Sequence, residues 1–180
     1  MQTILLLDEK NYDETLPQIR RTAVRGIIFR EGQLLLVRSS FGEVKLPGGG
    51  QERGEDDAAT LIREVLEETG FQVQPDSIRP FGQVVEKRLS RHEPMIWHQI
   101  NRYYFCRIDG AQQACQYSKN EQRYGMRQVW LPLEEAIRVN RQMVLREGCN
   151  PWNQREVRVL EMLAAAASRG EDIGCRGTNA

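Results

Sequence analysis

The chain has 180 residues, 25 basic and 25 acidic side chains, no formal net charge and a hydrophobic content of 40%. That balance bounds it to one domain with a core of ordinary size and argues against a dedicated nucleic-acid or membrane-surface binder. No apolar run reaches membrane-spanning length, and Met1 to Asp8 is too short and too quickly acidic for a signal peptide, so a cytoplasmic protein is expected.

In chain order, residues 1–20 read as an amino-terminal strand or extension. Arg20, Arg21 and Arg25 form a small basic patch, expected to be a solvated strand edge. Thr22 to Arg30 and Gln33 to Ser39 are β-branched or Leu-rich runs joined at Glu31-Gly32, the pattern of a hairpin. Pro47-Gly48-Gly49-Gly50 follows as a tight turn; it is not a P-loop, because no Lys-Ser/Thr follows Gly54. Ile78 to Leu89, Ile100 to Ile108 and Met126 to Leu131 supply further strands. Pro132 opens one helix, and Asn150-Pro151 opens another that runs to about Ala167. Helices on both sides of a mixed sheet predict an α/β/α sandwich. The domain is expected over 21–167, and the polar tail 168–180 is expected to be disordered. Cys106, Cys115, Cys149 and Cys175 lack C-x-x-C spacing and read as free thiols.

The most informative segment runs from Gly49 to Phe71. Its second half is a helix pattern at about 100° per residue, with Ala58, Ala59, Ile62, Val65, Leu66 and Thr69 on one arc and Glu64, Glu67 and Glu68 on the other. Like charges three and four apart cost a helix a few tenths of a kcal/mol per pair, and a counter-cation removes that cost. A few carboxylates with room for water and phosphate suit Mg²⁺. An arbitrary Glu-x-x-Glu-Glu would read as a solvated acidic face.

Written out, the segment is G-x5-E-x7-R-E-U-x-E-E-x-G-U, with U apolar, carried by Gly49, Glu55, Arg63, Glu64, Val65, Glu67, Glu68, Gly70 and Phe71. Seven fixed residues, each near one in fifteen in abundance, arise by chance in a chain this size roughly once in a million. The chain thus resembles the Nudix hydrolases, whose signature box this is, over about Arg21 to Ala167. The resemblance implies the Nudix α/β/α sandwich and a Mg²⁺-dependent enzyme, Mn²⁺ substituting, that cleaves the diphosphate of a nucleoside diphosphate linked to another moiety. It implies that Glu64, Glu67 and Glu68, with the Gly48 carbonyl, hold the cations. Arg63 would fix the carboxylates, Glu55 would orient Arg63, Gly49 would allow close approach and Gly70 would cap the helix. Family members differ in where the base lies: the candidates are Glu67 and Glu68 on the helix and Glu121 or Glu86 beyond it, Glu86 being the better placed to pair with a neighbouring cation.

Short motifs that separate family subgroups are missing. From Phe81 to Glu93 there is neither Pro nor Tyr, and Val44 stands where many members have tryptophan. Trp97, His98, Tyr103, Tyr104 and Phe105 read as base-stacking candidates or as core. The expected partner is a small nucleotide, with a homodimer left open and no membrane or nucleic-acid partner. Two other functions compete. A nucleotide-binding sensor module tends to lose box carboxylates, and this chain has lost none. An isopentenyl-diphosphate-isomerase-like enzyme needs a strand Cys beside a His, and Cys106, after Tyr103-Tyr104-Phe105, is poorly placed for that.

Overall fold

The structure, a computed structural model, describes residues 1–146 and 151–174. Strand β1 (Thr3–Asp8) precedes β2 (Gln18–Ile27), the short β3 (Phe29–Arg30) and β4 (Gln33–Arg38). Glu31 and Gly32 both have positive φ, 51° and 75°, as a tight two-residue hairpin turn requires. Next come β5 (Val44–Lys45), β6 (Gly48–Gly50) and helix α1 (Asp57–Thr69). Beyond the helix lie β7 (Phe71–Val73), β8 (Arg79–Leu89), β9 (Ile96–Phe105) and β10 (Ile108–Gln112). The chain continues through α2 (Lys119–Arg123), β11 (Arg127–Pro132), α3 (Leu133–Val144) and α4 (Pro151–Ser168).

The main sheet is mixed, in the order β1-β8-β9-β2-β6. Strand β1 runs parallel to β8 and β9 parallel to β2, while β8/β9 and β2/β6 are antiparallel. A second sheet, β11-β4-β3, carries β5 on β4. Strand alternation divides the core in two. Leu34 and Leu36 of β4 point to the side of α3 and α4, where Ala136, Ile137, Val159, Leu160 and Leu163 meet Ile27, Val84 and Tyr103. Leu35, between them, points the other way with Val24 and Ile28, against Leu61 and Val65 of α1. Helices therefore cover both faces, and the expected sandwich is the architecture observed.

Four expectations change. Strand β9 starts at Ile96 rather than Ile100, because parallel pairing with β2 extends back to Gln18↔Ile96. Between the expected strands Ile100–Ile108 and Met126–Leu131 a short helix, α2, forms that the sequence reading did not include. On α1, Ala59 is exposed while Leu61 and Glu68 are buried, so the helix presents its inner face a notch away from the predicted arc. The tail is not disordered throughout: Ile173 is buried at 4% exposure and Asp172 pairs with Arg79 at 3.2 Å. Apolar burial of one isoleucine outweighs the polar composition around it. Residues 175–180, the rest of that expected tail, lie outside the described residues, as do Cys149, Asn150 and Cys175. Cys106 and Cys115 are free thiols, and burial pushes the Cys106 thiol up to about 12, which leaves it inert.

Candidate active site

The glycine turn is built by close backbone approach. Gly48 has φ of 138° and pairs with Arg25 of β2, and a Cβ there would overlap the Val24 carbonyl oxygen and sit 2.7 Å from the Arg25 Cα. Only glycine fits. Arg25 is 8% exposed and donates from Nη1 to the Leu46 and Gly48 carbonyls, both at 3.0 Å. It was expected at a solvated edge. The strand twists it inward instead, because two turn carbonyls and Glu156, 3.8 Å from its Nε, satisfy a guanidinium there. Glu156 also accepts from the Leu46 amide at 3.1 Å.

Helix α1 begins at Asp56, whose side chain accepts from the Ala59 amide, and ends at Gly70, in the left-handed region at φ 74° with its N–H on the Leu66 carbonyl. Glu55 lies just before the cap and takes Arg63 through both oxygens, from Nε at 2.6 Å and Nη2 at 2.9 Å. The other edge of the guanidinium reaches Glu64 at 2.8 Å and Glu67 at 3.4 Å, and Nη2 also donates to the Gly50 carbonyl at 3.1 Å. One planar fork thus ties the cap, the turn and two box glutamates together. Gly49 lacks the Cβ that would collide with the Glu64 carboxylate.

Glu68 is 1% exposed, not on an outer face. Its oxygens accept from Lys45 Nζ at 2.6 Å and from the Gly48 amide at 2.7 Å. Burial raises its pKa to about 6, the Lys45 charge and the amide restraining the rise. Burial likewise raises Glu64, against the pull of Arg63. Glu121 stands at the third position of α2, in a reciprocal cap with Ser118: Ser118 N–H donates to it at 2.8 Å. Burial opposes its ionisation, but the hydrogen bonds from Ser118, aided by the Lys45 charge, outweigh this, and its pKa is lowered. Glu86 lines the same cavity as Glu64, Glu67 and Glu121 but is held by Arg155 at 2.5 Å and Asn101 at 2.8 Å.

Gly48, Glu64, Glu67 and Glu121 line one cavity of about 790 Å³, together with Lys45, Arg63 and the sheet face around Trp97. The donors are all oxygens and carry more negative charge than Lys45 and Arg63 cancel, which fits a hard divalent cation that keeps some of its own water. Among the described residues no three His, Cys, Asp or Glu side chains are already gathered as a cage, so such a cation would draw the glutamates together in place of Arg63 and Lys45. Of the five aromatic stacking candidates only Trp97 lines this cavity: Tyr103 is core, Tyr104 donates to Asp57 and Phe105 packs on Phe81. Lys45 was missed in the sequence, having no motif of its own, and Arg25 was read as a solvated patch. Ser118-x-x-Glu121, a capping-box spacing, was there to be read.

The Glu55 pair yields a pH prediction. Its bond to Arg63, with the Glu52 amide, lowers Glu55 from 4.5 to about 2. A lowered carboxyl contributes stability that is complete above its unfolded pKa and is lost as pH falls through the folded one. In chelator, the stability difference between wild type and Glu55→Gln is therefore expected to be constant above about pH 5 and to shrink between 4.5 and 2. Urea midpoints across that range measure it, and a difference that grows on acidification would contradict the assignment.

A family profile for the NUDIX domain matches residues 19–148. Over 77 residues the chain is 36% identical to a MutT-like protein of Streptomyces ambofaciens, covering 42% of this chain and 50% of that one. Over 120 residues it is 28% identical to nucleoside diphosphate-linked moiety X motif 6 of Xenopus laevis, covering 64% and 51% respectively. The chain spans about half the length of these curated relatives. Among solved structures, the E. coli ORF135 protein superposes with a TM-score of 0.55 at 20% identity, covering 84% of this chain and 94% of that one. A NUDIX hydrolase from Nitrosomonas europaea gives 0.56 at 16%, covering 80% and 90%, a likeness of fold. No helix among the described residues is long and apolar enough to cross a membrane. With the profile spanning most of the sandwich and every box position in place, the chain belongs to the Nudix family.

Proposed function

We propose that the protein is a Mg²⁺-dependent pyrophosphohydrolase, able to use Mn²⁺, that directs water onto one phosphorus of a nucleoside diphosphate linked to another moiety. The cation, when bound, supplies Lewis acidity and lowers the pKa of water. Glu64, Glu67 and the Gly48 carbonyl hold it, with Glu68 behind them. Glu55 and Arg63 are positioning residues that fix the orientation of Glu64 and Glu67. Glu121 accepts the proton from the attacking water, its lowered pKa keeping it ionised and its cap to Ser118 keeping it aimed. The reading is supported by Glu121, from far downstream of the box, lining the same cavity as Gly48, Glu64 and Glu67. The relative named for nucleoside diphosphate-linked moieties supports the substrate class.

A panel of nucleoside diphosphate derivatives, scored for released nucleotide in Mg²⁺, tests the whole. Turnover of none would leave a binding module. Within an active enzyme, Glu121→Gln is expected to lower kcat by about 10²-fold or more with little change in KM. Glu86→Gln is expected to weaken the fold, since Arg155 at 2% exposure loses a partner, while folded molecules keep near-normal kcat. Wild-type kcat in Glu121→Gln would move the base to the box helix.

A further inference from the structure

The cavity has a second pole that the acidic helix does not use. Six basic side chains line it: Arg21, Arg25, Lys45, Arg63, Arg88 and Arg155. Four face carboxylates, Arg25 toward Glu156, Lys45 toward Glu68, Arg63 toward Glu55 and Arg155 toward Glu86. Arg21 and Arg88 have no carboxylate among the described residues.

These two guanidiniums converge on one ring. Arg21 Cζ lies 5.4 Å and Arg88 Cζ 5.5 Å from the centre of Trp97. The register brings them there: Arg88 sits opposite Trp97 on β8/β9, and Arg21 sits opposite Gln99, the next residue on the same face. Arg21 also abuts the glycine turn, its Nη2 2.8 Å from where a Cβ on Gly50 would stand. The pair therefore runs outward from the acidic pole across the sheet face. Two like charges drawn to one neutral indole repel each other, and the ring offsets only part of that repulsion. An anion held against these guanidiniums removes the rest, although Arg88 Nη1 also donates to the Leu89 carbonyl at 3.1 Å.

We propose that Arg21 and Arg88, oriented by Trp97, bind an anionic group on the moiety joined to the diphosphate, which makes the substrate a nucleoside diphosphate whose attached moiety is itself acidic. This rests on the hydrolase reading above. The carboxylates of α1 and their cation account for the diphosphate; nothing at that pole needs a second pair of guanidiniums several residues away along the strands.

The test uses matched probes: UDP-glucose against UDP-glucuronate, and GDP-mannose against GDP-mannuronate, each pair differing by one carboxylate, with UTP as an arm whose anion is a third phosphate. Each is measured for kcat/KM in Mg²⁺ on wild type, Arg88→Gln and Trp97→Leu, and in parallel for binding by quenching of tryptophan emission. Wild type is expected to favour the carboxylated member of a pair by about tenfold or more, the scale of one charge-assisted contact. Both variants are expected to lose that preference, Arg88→Gln while the hexose member keeps its rate and Trp97→Leu as a loss of the ratio between the two members, whatever its effect on the rate of both. A UTP preference without a hexuronate preference assigns the clamp to a phosphate group; a preference for both assigns it to anions generally. No preference in wild type, a preference that survives Arg88→Gln, or an equal loss on both members overturns the proposal, the last because the arginines would then serve the diphosphate. If no probe turns over, the hydrolase reading fails, and the binding ratio alone decides the clamp. Trp97→Leu retains an apolar side chain, and Arg88→Gln decides the matter by itself if the leucine variant does not fold.

Discussion

Turnover is expected to fall to background in EDTA, to return with Mg²⁺ or Mn²⁺, and to drop by at least about 10³-fold in Glu67→Gln at saturating metal. The size follows from what Glu67 does not do for the fold. Its side chain is 38% exposed, and its ion-pair contact is Arg63 at 3.4 Å. Such an exposed pair contributes little stability, and removing one of three neighbouring acids relieves repulsion along α1. The melting temperature of Glu67→Gln in chelator should therefore match or slightly exceed that of wild type while kcat collapses. Full activity in chelated buffer would remove the metal from the mechanism. A large fall in melting temperature with unchanged turnover per folded molecule would make Glu67 structural.

Gly48→Ala and Gly49→Ala are expected to fail in different ways, although the residues are adjacent. At Gly48 the new methyl meets main-chain atoms of Val24 and Arg25, and φ of 138° is disfavoured for alanine. Backbone on β2 cannot step aside without breaking the β2/β6 ladder, so the cost is on the order of 3–5 kcal/mol, comparable with the whole stability of a marginal domain. At Gly49 the methyl meets the end of the Glu64 side chain, which can swing away. That variant should keep its fold and lose most of its turnover, since Glu64 leaves the orientation that Arg63 gives it. Urea denaturation and kcat on both proteins read the contrast. A stable, active Gly48→Ala would show that the turn is more yielding than its contacts imply.

What could be read from the sequence follows from the range of each signal. The box is contiguous, so the helix was legible from its periodicity, while its cap at Gly70 and the Arg63 bridge to Glu55 came from the resemblance that the box carries. The hairpin at Glu31-Gly32 and the start of α3 after Pro132 were equally local. Glu68 was misjudged because helix periodicity separates polar from apolar residues, whereas here Lys45 and the Gly48 amide arrive from another strand and make burial of a carboxylate tolerable. The Glu121 position was reached from resemblance, not from its own neighbourhood, since the cavity that brings it beside Glu64 and Glu67 is tertiary. Arg25 was placed in solvent because nothing near it in sequence announces two carbonyls from a turn 21 and 23 residues further along the chain.

The bridge from α4 to the glycine turn sets where this protein can be cut. The family profile ends at residue 148, and a chain excised there would retain every box residue and Glu121. It would lose Glu156, the acceptor for the Leu46 amide and the acid nearest Arg25, along with Val159, Leu160 and Leu163 of the core. Arg25 would then clasp the Gly48 carbonyl as an unneutralised charge in a half-empty layer, a burial that proteins do not sustain. The portion expected to stand alone therefore reaches past the profile to include the last helix, whose Trp152 and Arg155 line the cavity.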